Sequence, residues 1–372
     1  MNFEFSAEQN LLREQAVGFL SDRAPLSVAR RILDGDETHA SEVWQEIINL
    51  GWTATAVPES HGGFGFGHLE LCVVAEELGR SLAPVPFSSS VYLATEAIAS
   101  AANDVRDDWL PKLACGEVIG CVALYEVSGA PDPDRMNDCT VSDGALTGGK
   151  RWVTDGAIAD MAVVTARDAD TGNLGLYVVD LSAEGVQRST IDTIDPTRNH
   201  ADLQFNNVSA MPLASAIGDS TGLRRLLDRS AVLFAFEQLG GAEAALNMAR
   251  EYALGRYAFG RPIAGYQAIK HKLAKMYVAV QLARSNCYYG AWALATDAPE
   301  LPLAAATARV SASQAYRECS EENIQIHGGM GFTWEFDCHL YYRRAKLLSV
   351  NLGGEYDWKH RLISCIEADQ AA

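Results

Sequence analysis

Over residues 1 to about 117, apolar positions recur at helical spacing. Ser6-x-x-Gln9 reads as a capping box that opens the first helix. Leu69 to Leu78 repeats apolar residues three and four apart, and Gly79 is placed to close that helix. Pro58 with Gly62, Gly63, Gly65 and Gly67 marks the loop before it. From about 118 to 215 the pattern shortens to β-branched or apolar runs, at Val118 to Leu124, Ala162 to Ala166, Leu176 to Leu181 and Ala201 to Phe205. Ser142-Asp-Gly144 and Asp170-Thr-Gly172 supply turns between runs. No helix of useful length fits that block. From about 219 onward the helical period returns in three long amphipathic stretches, Arg224 to Leu254, Tyr266 to Ala295 and Ala304 to His327. Gly240-Gly241-Ala242 and Ala244-Ala245 put small side chains along the first of these. Glycine costs helix propensity, so the Gly240-Gly241 pair signals close helix packing or close approach of a ligand.

The predicted fold class is therefore α+β. A helical domain covers 1–117, a small antiparallel β domain covers 118–218, and a four-helix-like bundle covers 219–372. No internal repeat or low-complexity stretch interrupts this order.

Composition narrows the function classes. The 372 residues are 48% hydrophobic and 21% charged, an ordinary globular balance. The formal net charge of −18 argues against nucleic acid, whose phosphates it would repel. It leaves a coenzyme A substrate open, because a local basic pocket can sit on an acidic protein. None of the eight cysteines forms a C-x-x-C pair, so no structural metal site is expected. The chain opens on Phe3, Glu4, Phe5 and Ser6 rather than a basic and then apolar leader. Ala231 to Phe236, the longest aliphatic–aromatic run, is far too short to span a bilayer. A soluble, cytoplasmic protein in a reducing compartment is expected.

Four stretches carry candidate chemistry. Gly62-Gly-Phe-Gly-Phe-Gly67 has the glycines of a dinucleotide loop but no βαβ unit around it, so a turn is preferred. Gln325-Ile-His-Gly-Gly-Met-Gly331 follows a long helix. Its glycines let backbone N–H groups approach a pyrophosphate or ribose; equally, it reads as a helix cap and turn. Arg256-Tyr-Ala-Phe-Gly260, with Gln267 opening the next helix, offers a fixed cation, an aromatic face and an amide. Arg256 also suits a helix C-terminus for dipole reasons alone. Lys150-Arg-Trp-Val-Thr-Asp-Gly156 offers Trp152 to wall a flat ring and the Thr154 hydroxyl to bond a ring atom, or else a hairpin with a core tryptophan.

Taken together these stretches resemble the acyl-CoA dehydrogenase family, from Phe3 to about Leu362. The resemblance includes Val57-Pro-Glu-Ser-His-Gly-Gly-Phe-Gly65, Glu76-Glu-Leu-Gly-Arg80, the strand ending at Glu126, Gly-Lys-x-Trp-x-Thr, Arg-x-x-Phe-Gly, Gln267 and Gln-x-x-Gly-Gly-x-Gly. It implies FAD as cofactor. Trp152 and Thr154 would touch the flavin ring. Arg256, Phe259 and Gln267 would reach the adenosine-diphosphate part of an FAD held mainly by a neighbouring subunit, with Gln325, Gly328 and Gly329 lining that interface. The implied reaction is α,β-desaturation of an acyl-CoA thioester. A carboxylate removes the α-proton, a hydride leaves the β-carbon for flavin N5, and an electron-transfer flavoprotein accepts the electrons. The implied assembly is a homo- or heterotetramer.

The chain departs from the family at the base. One family position for the carboxylate falls on Leu352, in Asn351-Leu-Gly-Gly-Glu355; the other falls on Ser230. Glu237, seven residues on and almost on the same helix face, is the candidate substitute, and an apolar setting among Phe234, Phe236 and Leu239 would make it a stronger base. Pairing within the bundle is the competing role for Glu237. Glu355 would need a rearranged loop. Tyr125, in Tyr125-Glu-Val-Ser-Gly-Ala-Pro131, replaces a small hydroxyl that the family places near the flavin. In these losses the chain resembles the base-lacking subunit of bacterial heterotetrameric acyl-CoA dehydrogenases, some of which act on steroid side chains. Three readings follow: a flavoenzyme with Glu237 as base, a non-catalytic partner that completes an FAD site, and a flavin oxidase or monooxygenase of the same fold.

Overall fold

The computed structural model describes residues 5–101, 104–127, 131–133, 135–213 and 221–371. In chain order, α1 (Ala7–Arg23), α2 (Leu26–Asp34), α3 (Ser41–Asn49), α4 (His68–Ser81), α5 (Glu96–Ala99) and α6 (Asp104–Ala114) come first. A π-helical segment, Ser88–Thr95, runs directly into α5. Eight strands follow: β1 (Gly120–Ala123), β2 (Thr140–Ser142), β3 (Ala145–Thr154), β4 (Met161–Asp168), β5 (Leu174–Asp180), β6 (Val186–Ile191), β7 (His200–Ser209) and β8 (Met211–Pro212). Then come α7 (Thr221–Gly255), the short strands β9 (Tyr257–Ala258) and β10 (Arg261–Pro262), α8 (Gln267–Ala295), α9 (Leu301–His327), α10 (Cys338–Leu348) and α11 (Glu355–Ala371).

The chain divides into two compact units. One comprises Met1–Asp34, Leu69–Ala83 and Ala231–Ala372; the other comprises Gly35–His68 and Pro84–Ser230. The early helices are thus shared out: α1, α2 and nearly all of α4 belong to the first unit, while α3, α5 and α6 belong to the second. The boundary expected near residue 218 lies outside the described residues, as do residues 128–130 of the Tyr125–Pro131 stretch and the opening Phe3 and Glu4.

In the second unit the sheet runs β6-β7-β3-β2-β4-β5-β8, with β1 also pairing β4. Most neighbours are antiparallel, but β4 runs parallel to both β1 and β2. Strands β1 and β2 thus run in one direction, β3 turns back, and the segment between β3 and β4 restores that direction, an order that short apolar runs do not encode. Asp143 and Gly144 turn the β2–β3 hairpin, both at positive φ (50° and 76°), as a two-residue turn of matching twist requires. Strand β4 is buried from Met161 to Ala166 on both faces, whereas β7 alternates. Val164, Val179, Leu203 and Phe205 fill the core between them.

In the first unit α9 packs along α8 and also carries α10 and α11. The capping box at the start of α1 is present: the Gln9 N–H donates to Ser6 Oγ at 3.2 Å and the Ser6 N–H to Gln9 Oε1 at 2.9 Å. Gly79 does not end α4. The helix continues to Ser81, and a Cβ on Gly79 would fall 1.9 Å from the Glu237 carbonyl oxygen. Its missing side chain serves a helix crossing, not a cap. The run from Gly62 is a turn, with Gly62 and Gly65 at positive φ and no room for a Cβ on Gly63 against the Val57 carbonyl. No described helix is long and apolar enough to cross a membrane.

Candidate functional site

In the second unit, the β3–β7 register is interrupted between Lys150 and Val153. Trp152 sits in that irregularity with φ of 51°, a left-handed conformation that a bulky residue adopts at a cost of about 1–3 kcal/mol. Its N–H donates to the Asp202 carboxylate at 3.0 Å, and the Arg151 N–H donates to the Tyr125 carbonyl at 2.9 Å. The indole is 44% exposed, so it is not a core tryptophan. Tyr125 stands edge-on to it, ring centroids 6.3 Å apart, and the Arg151 guanidinium lies 5.6 Å from the indole centroid.

Lys150, two residues earlier, points the other way and is fully buried. Its ammonium lies 2.5 Å from Glu126 Oε1 and donates to Thr165 Oγ1 at 2.8 Å. The second Glu126 oxygen accepts the N–H groups of Asn137 and Asp138 at 2.7 and 2.9 Å. A buried charge pair of this kind is tolerable because nearly every lone pair is used. Thr154 ends β3 opposite His200, with Oγ1 3.1 Å from His200 Nε2. His200 is buried, and burial pushes its imidazole below the usual range despite the Asp155 charge. The next residue, Asp155, is also buried and left-handed, with φ of 57°. It accepts from Ser89 at 2.5 Å, Arg198 at 2.7 Å and Asn199 at 3.2 Å, which locks the end of the strand.

In the first unit, α7 ends at Gly255 and leaves Arg256 exposed. Phe259 and Gly260 form the two-residue turn of the β9–β10 hairpin, with φ of 51° and 79°. The Phe259 side chain is 99% exposed. An aromatic ring held in open solvent on a strained backbone adds nothing to this chain's own core. The Tyr266 hydroxyl donates to the Ala258 carbonyl at 2.9 Å, and the Arg261 guanidinium stacks 4.0 Å over the Tyr266 ring. The hairpin is thereby fastened to the start of α8, where Gln267 is the first, exposed residue.

The C-terminal end of α9 is tied to the same region. His327 stacks on Tyr252 with centroids 4.0 Å apart, four residues before Arg256. Gly328 follows at φ of 60° and ψ of −138°, a combination essentially reserved for glycine, and its N–H caps α9 on the Gln325 carbonyl. Gly331 is required by packing, because a Cβ there would lie 2.5 Å from the Ile324 carbonyl oxygen. Gly329 faces open space and Gln325 is exposed. The cap-and-turn role accounts for Gly328 and Gly331; Gly329 has no such internal reason. The Tyr252–His327 stack brings the Arg256 and Gln325 stretches to one region, and nothing in the sequence marked either aromatic as its organiser.

The candidate base positions are filled otherwise. Leu352 is 2% exposed, and its carbonyl accepts the Trp358 indole N–H at 3.0 Å. Ser230 is fully buried and donates its hydroxyl to the Tyr92 carbonyl at 2.7 Å. Glu237 is also buried, with Oε1 3.5 Å from the buried Arg344 guanidinium. Glu355 is surrounded by donors. Partial burial pushes its pKa up, but bonds from Gln314 (2.8 Å), Lys359 (2.6 Å) and Arg317 (2.5 Å) outweigh that and hold it at about 2. A carboxylate held that low is a poor proton acceptor at neutral pH.

Residues 6–117 match the family model described as acyl-CoA dehydrogenase, N-terminal domain, and residues 222–356 match acyl-CoA dehydrogenase, C-terminal domain. The acyl-CoA dehydrogenase IpdE2 of Mycobacterium tuberculosis is 34% identical over 339 residues, 91% of each chain. Among solved structures, a variant of the Tcur3481-Tcur3483 steroid ACAD superposes with a TM-score of 0.88 at 29% identity, covering 98% of this chain and 99% of that one. The ChsE4-ChsE5 complex from Mycobacterium tuberculosis gives a TM-score of 0.89 at 27% identity, covering 99% of each chain.

Proposed function

The chain belongs to the acyl-CoA dehydrogenase family, and from that premise we propose that it is one subunit of a heteromeric FAD-dependent dehydrogenase whose catalytic carboxylate comes from a partner subunit. One observation carries this reading. Leucine and a hydrogen-bonded serine stand at the family's two base positions, and the nearby carboxylates, Glu237 and Glu355, are engaged by guanidinium and ammonium groups. Two solved relatives, named as the ChsE4-ChsE5 complex and the Tcur3481-Tcur3483 steroid ACAD, support a two-component assembly. The second also supports an acyl-CoA with a steroid-type acyl group as substrate.

The residues present suit an FAD. Trp152 offers a half-exposed indole wall beside the Thr154 hydroxyl, the surface a planar heteroaromatic ring needs. Arg256 offers a charge for a phosphate, Phe259 an exposed ring, and Gln267 and Gln325 exposed amides. Gly328 and Gly329 expose backbone with no Cβ in the way. In this reading Trp152 and Thr154 meet a flavin ring. Arg256, Phe259, Gln267, Gln325, Gly328 and Gly329 hold the adenosine-diphosphate part of an FAD seated mainly in a neighbouring subunit. The flavin, when bound, supplies the hydride acceptor; the protein supplies orientation and excludes water. An electron-transfer flavoprotein is the proposed acceptor of the electrons.

Proton exchange at the acyl α-carbon reads the base directly. This chain with added FAD should not exchange the α-proton of an acyl-CoA with deuterated water. The complex with a carboxylate-bearing acyl-CoA dehydrogenase subunit should. Rapid exchange by the chain alone would overturn the proposal.

A further inference from the structure

We propose that His200 is a positioning residue that draws the Thr154 hydroxyl proton into an internal hydrogen bond, so that Thr154 offers only oxygen lone pairs to the group facing it. The inference rests on the reading that this group is a flavin ring. The chain of bonds begins at Arg198, whose carbonyl oxygen lies 3.1 Å from His200 Nδ1. A carbonyl can only accept, so Nδ1 carries the hydrogen. His200 is 3% exposed, and burial lowers its pKa and favours the neutral ring. In a neutral imidazole with hydrogen on Nδ1, Nε2 is a bare acceptor. Its partner at 3.1 Å is Thr154 Oγ1, which must therefore donate.

The supports of this chain are stiff. Arg198 is held through its guanidinium by Asp155 and by Ser88, both at 2.7 Å. Thr154 and His200 are paired across β3 and β7. With its proton turned inward, Thr154 pairs well only with a group that carries a hydrogen. A flavin ring has no hydrogen on N5 when oxidised and gains an N–H there on taking up a hydride. Were N5 the ring atom facing Thr154, an acceptor-only hydroxyl there would favour the reduced ring. A threonine free to rotate would serve both states, donating to one and accepting from the other.

The test uses the flavin-loaded protein, with its co-expressed partner subunit where loading requires one. His200→Phe should leave flavin content unchanged and lower the two-electron reduction potential by about 30 mV, a tenfold shift towards oxidised flavin. In a Thr154→Val background the same substitution should shift nothing, because the two residues act as one unit. Nitrogen-15 NMR of histidine-labelled wild-type protein keeps the test independent of how the variants fold. It should show His200 neutral with hydrogen on Nδ1. A flavin-loaded His200→Phe protein with an unchanged potential, or hydrogen on Nε2 in the wild type, overturns this inference alone. Colourless protein in every combination overturns both it and the FAD reading beneath it.

Discussion

Gly79 and Gly240 are the two contact points of one helix crossing. A Cβ on Gly79 in α4 would lie 1.9 Å from the Glu237 carbonyl oxygen of α7, and a Cβ on Gly240 would lie 1.8 Å from the Glu76 carbonyl oxygen of α4. Each helix thus presses backbone against the other's missing side chain. The same contact carries a buried charge cluster, because Glu76 takes Arg13, Arg80 and Arg284 at 2.9, 3.3 and 2.8 Å. Backbone contact leaves neither helix able to yield by a change of rotamer.

Alanine at either glycine should therefore destabilise the protein, against intrinsic propensity. Gly→Ala inside a helix gains about 1 kcal/mol where space allows. Here overpacking should cost about 1–3 kcal/mol net or more, and the double variant should be less than additive because both strain one crossing. Denaturant midpoints of Gly79→Ala and Gly240→Ala check this; an increase in either midpoint would contradict the crossing.

Much of the fold was legible because long helices announce their period. The stretch expected from Arg224 to Leu254 is α7, Thr221–Gly255, and that expected from Tyr266 to Ala295 is α8, Gln267–Ala295. The reason for Gly79 lies in a helix far along the chain, while local pattern offers only the cap. The parallel pairings of β4 are not legible in the sequence, because strand direction depends on the path of the connections, which apolar runs do not encode. Compact motifs that contain exposed residues, such as Phe259 and Gln325, stand out in the sequence alone. The buried roles of Lys150 and His200 do not, because a polar residue at an inward strand position becomes meaningful only once its partners in space are known.

Phe259 separates binding from stability. Its ring is 99% exposed at the hairpin tip, so Phe259→Ala should change the unfolding free energy by no more than about 0.5 kcal/mol. It should weaken flavin retention or subunit assembly by on the order of 1–3 kcal/mol, as expected of an aromatic anchor buried on association. Flavin titration of the assembled complex beside a chemical unfolding curve distinguishes the two effects. An equal loss in both would place Phe259 among structural residues.

Glu237 should behave as half of an ion pair. Glu237→Gln leaves the buried Arg344 with a neutral neighbour and should destabilise by up to about 3–5 kcal/mol. Turnover of the folded complex should stay within a few fold, since loss of a general base costs about 10²–10⁴-fold. A collapse of turnover with stability intact would make Glu237 the base.

Acid should unfold the chain through carboxylates held low in the folded state. Glu96 is buried, which raises its pKa, but His68 at 2.6 Å and Arg229 at 2.7 Å more than offset this and bring it to about 2 from an ordinary 4.5. Glu355 is held at about 2 by its three donors. Both folded values lie below the unfolded one, so the stabilisation is complete above pH 4.5 and is lost as pH falls from there towards 2. The thermal midpoint should fall through that window, and Glu96→Gln should flatten the decline. A midpoint independent of pH there would show that these pairs do not hold the charges.

We propose that this chain completes an FAD site without supplying the base, and the visible spectrum of the purified chain tests that most directly. Alone, the protein should carry at most weakly held flavin whose absorbance an acyl-CoA does not bleach. Co-purified with a carboxylate-bearing acyl-CoA dehydrogenase subunit, it should be yellow and bleach when acyl-CoA is added. Tight stoichiometric flavin in the isolated chain, bleached by acyl-CoA, would contradict the account.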